Sequence, residues 1–191
     1  IGQFYGIEIN DFAVTVAKTA LWIAESQMMK ETEDVVHMSL NFLPLKSYTN
    51  IAEGNALEIN WEDIIHKYQL SYIMGNPPFV GASMMTKQQK EQAVSIYGKI
   101  KLSNSIDYVG AWYHKAAAYI DGTTIRVSFV STNSITQGEQ VAPLWDKLVN
   151  RYGLHIDFAY RTFKWNSEAS EKAAVHCVII GFSQYINHNK R

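Results

Sequence analysis

The stretch "IMGNPPFVG", residues 73–81, joins an apolar run to a rigid turn at residues 76–79, which we call the Asn76 corner. Pro77 and Pro78 fix their own φ angles and lack an N–H donor, and a residue that precedes a proline is held out of the helical region. The apolar residues before Asn76 predict a short buried strand that ends there. The Asn76 amide, the Pro77 carbonyl and the Phe79 ring therefore follow the carboxyl end of a strand.

These groups suit the recognition of a flat heterocycle that carries an amine. An amide oxygen and a carbonyl oxygen side by side can accept both hydrogens of one amino group, and the Phe79 ring can stack on the heterocycle. The alternative is an ordinary tight turn with Phe79 in the core. The tetrapeptide alone does not decide between them, because short motifs also occur by chance.

Composition limits the classes of protein to consider. The 191 residues are 47% hydrophobic with a net charge of −1, which excludes disorder and leaves any nucleic-acid binding to a local patch or another domain. A single cysteine, Cys177, suits the reducing cytoplasm, and the histidines have no metal-ligand spacing. No apolar stretch reaches membrane-spanning length. We therefore expect a cytoplasmic protein without a metal site or a membrane partner.

Strands and helices alternate along the predicted chain. Alternation favours a parallel sheet with helices on both faces, and the last two strands, joined by a polar loop, should form an antiparallel edge. Ligands of such sheets bind beyond the carboxyl ends of the strands. Glu8, Asn55 and the Asn76 corner are expected to converge there. The predicted elements cover residues 4–9, 10–29, 50–53, 61–68, 70–76, 86–98, 108–120, 123–132, 141–152, 154–163 and 173–184.

Two of the predicted helices carry specific expectations. The helix over residues 10–29 has an apolar stripe that should pack on the sheet. Asp107 is a candidate N-cap for the helix that follows it. The residues of the stripe are Phe12, Val16, Ala20 and Ile23.

The motifs, taken in order, resemble class I S-adenosylmethionine-dependent DNA methyltransferases that modify the exocyclic amine of adenine, in particular the large restriction-associated bacterial enzymes. "NPPF" is similar to their catalytic motif, "GIEI" to the acidic end of their second strand, and "GNAL" to the motif after their third strand. The later segments 107–120, 128–145 and 158–182 resemble the remaining motifs, so the likeness covers nearly the whole chain.

The resemblance implies a cofactor site for S-adenosylmethionine in the first third of the chain. Glu8 would bind the two ribose hydroxyls, and Ile9 would pack on the cofactor's adenine. Asn55, with Ala56 beside it, occupies the position where many relatives have an aspartate that accepts from the adenine amine. An asparagine oxygen can still accept that hydrogen bond, but without the charge.

The resemblance also implies the catalytic roles. Asn76 and the Pro77 carbonyl, in the corner that Pro78 stiffens, would accept hydrogen bonds from the target amine. Phe79 would stack on the target adenine, which must be flipped out of double-stranded DNA to react. An aromatic residue from the last hairpin, either Phe163 or Trp165, would hold the same base.

The implied fold is Rossmann-like, mostly parallel, with an antiparallel C-terminal hairpin. The family's glycine-rich first motif has no counterpart in the sequence. Residues 1–191 are therefore expected to form a single partial catalytic domain that starts at the second strand and lacks the target-recognition domain. We expect such a fragment to be inactive alone, to bind no cofactor, and to have exposed strand edges through which a homodimer could form.

Two further alternatives stay open. Similar Asn-Pro-Pro-aromatic motifs occur in enzymes that methylate protein glutamine or ribosomal RNA guanine. The chain could also be a scaffold fragment without cofactor binding or activity.

Overall fold

The computed structural model describes residues 2–39, 50–98, 105–165 and 175–186. The chain divides into two compact units, residues 1–65 and residues 66–191. The prediction that residues 1–191 form one domain stays a prediction.

The first unit contains two short parallel strands and one long helix. Strand β1 (Gly6–Glu8) pairs with β2 (Ile51–Glu53), with Glu8 opposite Glu53. Between them in sequence, helix α1 (Asp11–Val36) begins where the Asn10 side chain accepts a hydrogen bond from Ala13 N at 2.9 Å. The helix is longer than predicted and ends at a left-handed residue, His37 (φ 54°).

The apolar stripe predicted for α1 is exposed and is not packed on the sheet. Phe12, Val16 and Ile23 are 73%, 49% and 54% exposed, whereas Val14 is buried. Helix α1 does contact β1 and β2, as predicted. Its buried or half-buried positions include Val14, Ala17 and Leu21, which belong to a different face of the helix from the predicted stripe.

The second unit is built on a four-stranded sheet with the order β3-β4-β6-β5. β3 and β4 are parallel, and β6 is antiparallel to both of its neighbours, which confirms the predicted antiparallel C-terminal hairpin. The two units together give a mixed α/β architecture. The elements of this unit are β3 (Tyr72–Gly75), α2 (Lys87–Tyr97), α3 (Gly110–Tyr119), β4 (Arg126–Thr132), α4 (Val141–Asn150), β5 (His155–Trp165) and β6 (Val175–Ser183).

Two predictions of local structure in this region are wrong. Residues 61–68 do not form one helix but two 3₁₀ turns, Trp61–Asp63 and Lys67–Gln69, because the extended backbone of His66 interrupts them. Strand β3 is not buried, since Tyr72 is 64% and Met74 is 80% exposed. Within the described residues β3 is an edge strand, and nothing described covers this face of it.

Neither a membrane span nor a metal cluster is found in the described ranges. No helix there is both long and apolar enough to cross a membrane. No group of three or more His, Cys, Asp or Glu side chains in those ranges could hold a metal ion.

Helix α3 is the centre of the second unit's core. Tyr113 is fully buried, with its ring stacked on Phe182 and edge-on to Phe129 and Trp145. Its hydroxyl is within hydrogen-bonding distance of Ser131 Oγ, at 2.8 Å. This aromatic cluster fixes α3 against the sheet.

His114, one residue further along α3, makes the stability of the fold depend on pH. Burial, with a smaller effect of the Lys147 and Arg151 charges, lowers the pKa of His114 from 6.5 to about 3. As the pH falls below 6.5 the unfolded chain gains a proton that the folded chain does not bind, so stability is lost. The free energy of unfolding should fall by about 2 kcal/mol between pH 7 and pH 5.

Urea unfolding of the wild type and of His114→Phe at the two pH values tests this prediction. We expect the variant to lose most of the pH dependence. His176→Gln, which replaces an exposed histidine on β6, is the matched control and should keep it. An equal pH dependence in His114→Phe and the wild type would contradict the assignment.

Candidate functional site

The predicted corner follows β3 as expected. Asn76 comes directly after Gly75, the last residue of β3, and is exposed, while Pro77 is buried and Phe79 is half-buried. Within the described residues, neither the Asn76 amide nor the Pro77 carbonyl makes a hydrogen bond. Two acceptors without a hydrogen bond inside the described ranges thus follow the end of the strand, and Phe79 comes two residues after Pro77.

The loop that leaves this corner is fixed by backbone hydrogen bonds. Val80 N donates to Pro78 O at 3.2 Å, which closes a tight turn around Phe79. Tyr108 N then donates to Val80 O at 2.9 Å. These bonds join the corner to the segment that precedes α3.

Asp107 does not cap α3 as predicted. Helix α3 begins at Gly110, whose N–H donates to the backbone carbonyl of Asp107 at 2.9 Å. The Asp107 carboxyl group instead accepts from Ala82 N at 2.8 Å, in the loop after Phe79. The Asp107 side chain therefore binds the loop that follows the Asn76 corner, and the first turn of α3 is hydrogen-bonded to the Asp107 backbone carbonyl instead.

In the first unit, the predicted cofactor residues lie at the carboxyl ends of two paired strands. Glu8 ends β1, and Asn55 follows β2 by two residues, so both occupy the same edge of this small sheet. Gly54 N donates to Glu8 O at 2.8 Å and ties the two strand ends together. The φ of +148° at Gly54 and the Ile59 side chain beside it leave no room for a larger residue there.

The side-chain oxygens of Glu8 and Asn55 retain acceptor capacity in the part of the chain that the structure describes. Glu8 Oε1 accepts from Asn10 N at 3.0 Å, and this is its one hydrogen bond within the described residues, so the carboxylate can accept from ribose hydroxyls as well. Asn55 Oδ1 accepts from Leu57 N at 2.9 Å and retains a second lone pair. Ile9 is 68% exposed, whereas the Ala56 carbonyl already accepts from Trp61 Nε1.

Phe163 and Trp165 lie at the same end of the second sheet as the corner. Phe163 on β5 pairs with Cys177, which pairs with Thr132, and Thr132 lies beyond Phe129, the partner of Gly75. In the strand order, β5 is three positions from β3, or about 14 Å at usual strand spacing. The loop between them and β6, residues 166–174, and the Trp165 side chain lie outside the described residues.

The predicted site residues thus fall into two groups. Glu8, Ile9, Asn55 and Ala56 share one edge in the first unit, and the Asn76 corner shares one end of the sheet with Phe163 in the second. The convergence of the two groups stays a prediction. What the sequence analysis missed is the buried polar contact of Asp107 with the corner loop, since no local periodicity signals a bond between residues so far apart in sequence.

Comparisons with known proteins find a family model and two relatives that match most or all of the chain. The family model described as "MmeI, DNA-methyltransferase domain" matches residues 1–191. DNA methyltransferase A of Bacillus subtilis (strain 168) is 44% identical over 185 residues, which cover 95% of this chain and 21% of that protein. The solved structure of the Type IIL restriction-modification enzyme MmeI in complex with DNA matches with a TM-score of 0.93 and 47% identity, over 100% of this chain and 25% of that one. The chain therefore spans about a fifth to a quarter of the length of these relatives.

Proposed function

The chain belongs to the family of MmeI DNA-methyltransferase domains, and from this premise we propose that it is part of an enzyme that methylates the N6 amine of adenine in DNA. The observation that carries the proposal is the corner after β3. Among the residues that the structure describes, its exposed Asn76 amide and its Pro77 carbonyl make no hydrogen bond, and the Phe79 ring follows them in the sequence. Such a pair matches an exocyclic amine, which has two hydrogens to donate.

The corner acts by position and electrostatics. The lone pair of the adenine amine is delocalised into the ring, which makes the amine a weak nucleophile. Asn76 Oδ1 and Pro77 O accept its two hydrogens, favour a tetrahedral nitrogen and so free the lone pair for methyl transfer. Pro77 and Pro78 hold the acceptors in place with little freedom left to lose on binding.

The target base is held by aromatic rings. An adenine within a duplex cannot be reached, so it is flipped out at the cost of its stacking and pairing. Phe79 replaces part of that stacking, and Phe163 or Trp165 approaches from the hairpin. Exposed Arg161 and Lys164 on the same strand β5 suit DNA phosphates.

S-adenosylmethionine, when bound, supplies a methyl group activated by a sulfonium. Glu8 holds the ribose hydroxyls through its free acceptor capacity, and Ile9 packs on the cofactor's adenine. Asn55 accepts from the adenine amine through the second lone pair of Oδ1, with Ala56 beside it. Together these residues bind the nucleoside end of the cofactor and orient it.

The wider context is a restriction-modification enzyme acting on double-stranded DNA in the cytoplasm, with a class I, Rossmann-like catalytic domain. The solved relative is such an enzyme bound to DNA. The matching family model names DNA as the substrate, which argues against protein glutamine or ribosomal RNA. Dimer formation by the isolated chain and its lack of activity stay predictions.

One experiment tests the proposal. The full-length protein is incubated with S-adenosylmethionine labelled in the methyl group and with genomic DNA that lacks adenine methylation. Nucleosides from the digested DNA are then separated by mass spectrometry. Parallel reactions receive ribosomal RNA or protein in place of DNA. We expect label in N6-methyl-2′-deoxyadenosine, whereas label only in methylated deoxycytidine, or label only in the ribosomal RNA or protein of the parallel reactions, would refute the proposed substrate.

A further inference from the structure

A buried polar cluster lies directly behind the catalytic corner. It consists of Asp107, Ser134 and Gln140, of which Asp107 and Gln140 are each 8% exposed. The Asp107 carboxyl group accepts three hydrogen bonds, from Ala82 N at 2.8 Å, Ser134 Oγ at 2.5 Å and Gln140 Nε2 at 3.1 Å. Two segments distant in sequence, at residue 82 and at residues 134–140, thus meet on the carboxyl group of Asp107.

The Gln140 amide is fixed in one orientation. Its nitrogen donates to Asp107 Oδ2, while its oxygen accepts from the Asp107 backbone N–H at 3.0 Å. Turning the amide over would set a donor against a donor and an acceptor against an acceptor. Because the Ser134 proton goes to Asp107, Thr132 Oγ1, at 2.7 Å, must donate to Ser134 Oγ.

The cluster reaches the corner through two adjacent residues. Asp107 binds Ala82 N through its side chain, and Tyr108 N binds Val80 O through the backbone. Residues 79–82, the corner loop, are thereby hydrogen-bonded to a cluster whose polar side chains are themselves all hydrogen-bonded. A support of this kind is rigid, since every alternative arrangement leaves a buried polar group unpaired.

We propose that Asp107, oriented by Gln140 and Ser134, is the positioning residue that holds the corner loop and the Phe79 ring in the geometry for methyl transfer. This inference rests on the proposed function. Asp107 acts on the loop and touches no reacting atom. Its effect should appear in the rate of transfer, because a displacement of about 1 Å can lower a rate about a hundredfold.

The test is an exchange of donor and acceptor. Asp107→Asn puts an NH₂ group against a donor whichever way either amide is turned, and Gln140→Glu sets two carboxyl groups together. The double variant Asp107→Asn/Gln140→Glu restores the pairing with the roles reversed, because the amide introduced at position 107 then donates to the carboxylate introduced at position 140 and to Ser134 Oγ. The backbone N–H of position 107 also keeps its acceptor.

The measurement is the single-turnover rate constant of methyl transfer by the full-length protein at saturating DNA and cofactor, together with the Kd of the cofactor. Each single variant should be about 10- to 100-fold slower with a Kd within about threefold of wild type. The double variant should recover to within about threefold of the wild-type rate, which is the sign of direct coupling. A smaller rate loss, about three- to tenfold, is expected for Ser134→Ala, which removes only one donor.

Tyr113→Phe is the matched control for lost stability. It removes a buried hydrogen bond to Ser131 in the same unit without touching the corner loop. We expect a lower melting temperature and an unchanged rate constant, since unfolding reduces the amount of active enzyme but leaves the rate of each folded molecule as it was.

The outcomes separate the two proposals. If the wild type transfers no methyl group to DNA, the proposed function fails and the positioning role fails with it. If the wild type is active, single variants as fast as the wild type, or a double variant as slow as the singles, overturn the positioning role alone. If the single variants do not fold, the rate constants of the double variant and of Ser134→Ala test the positioning role. A rate constant of Ser134→Ala equal to that of the wild type then overturns the positioning role.

Discussion

Replacing Asn76 by alanine should lower the rate of methyl transfer by about 100- to 1000-fold, the usual effect of removing one well-placed polar group from a transition-state contact. In the proposed mechanism Asn76 supplies one of the two acceptors for the target amine. The Pro77 carbonyl alone can still bind one hydrogen. The nitrogen then keeps much of its planar, delocalised form.

The same variant should leave the fold and the cofactor site intact. Asn76 is exposed and makes no hydrogen bond within the described residues, so its removal costs little stability. The residues proposed for the cofactor belong to the other unit. We therefore expect a melting temperature and a cofactor Kd close to those of the wild type, with the loss confined to the rate constant.

Asn76→Asp is the matched control for this prediction. An aspartate keeps an acceptor oxygen at the same position and should retain far more activity than alanine. Single-turnover measurements on full-length protein with saturating DNA compare the three. Methyl transfer by Asn76→Ala at the wild-type rate would show that the corner is a structural turn and that the catalytic group lies elsewhere.

The parts of this molecule that could be predicted from sequence are those whose cause is local. Two consecutive prolines restrict the backbone at Asn76 whatever surrounds it. The Thr86 and Gln89 pair forms the reciprocal cap that starts α2. The last two strands carry long β-prone runs joined by a short polar segment, and they pair as an antiparallel hairpin.

The parts that could not be predicted depend on what a residue meets across space. The apolar stripe of α1 was expected at the contact with the sheet, but its large residues are exposed, whereas Val14 on another face of the helix is buried. Tyr72 and Met74 were predicted to be buried because they are apolar, but both are exposed. Hydrophobicity does not show whether another element covers that face of the strand. Asp107 was predicted to cap α3 because it precedes the helix. The tertiary structure shows instead that its carboxyl group accepts hydrogen bonds from Ala82 and Gln140.

The candidate site shows the same division. Glu8 and Asn55 could be assigned to one edge because parallel strands bring their carboxyl ends together, and β1 and β2 are paired in that way. The polar cluster of Asp107, Ser134 and Gln140 could not be predicted. The hydrogen bonds from Ser134 and Gln140 to the Asp107 carboxyl group join residues that are 27 and 33 positions apart in the sequence. Local patterns thus indicate the groups that we propose to contact ligands, whereas the groups proposed to hold them in place are found only in the tertiary structure.

Removing the carboxylate of Glu8 should weaken cofactor binding by about 1.5–3 kcal/mol, the usual contribution of a hydrogen bond to a charged group. The Kd for S-adenosylmethionine should rise on the order of 10- to 100-fold in Glu8→Ala. Only one hydrogen bond within the described residues, from Asn10 N, uses this carboxylate, so most of its acceptor capacity is open to the ribose.

Two further variants separate the specific contact from the general effect of charge. Glu8→Gln keeps an acceptor oxygen without the charge and should give an intermediate Kd. Glu53, exposed and directly opposite Glu8 on β2, provides the matched control, and Glu53→Ala should change the Kd by no more than about threefold. Titration calorimetry on full-length protein gives all four constants. If Glu8→Ala and Glu53→Ala weaken binding equally, or neither does, then Glu8 is an ordinary strand-end residue and the ribose is held elsewhere.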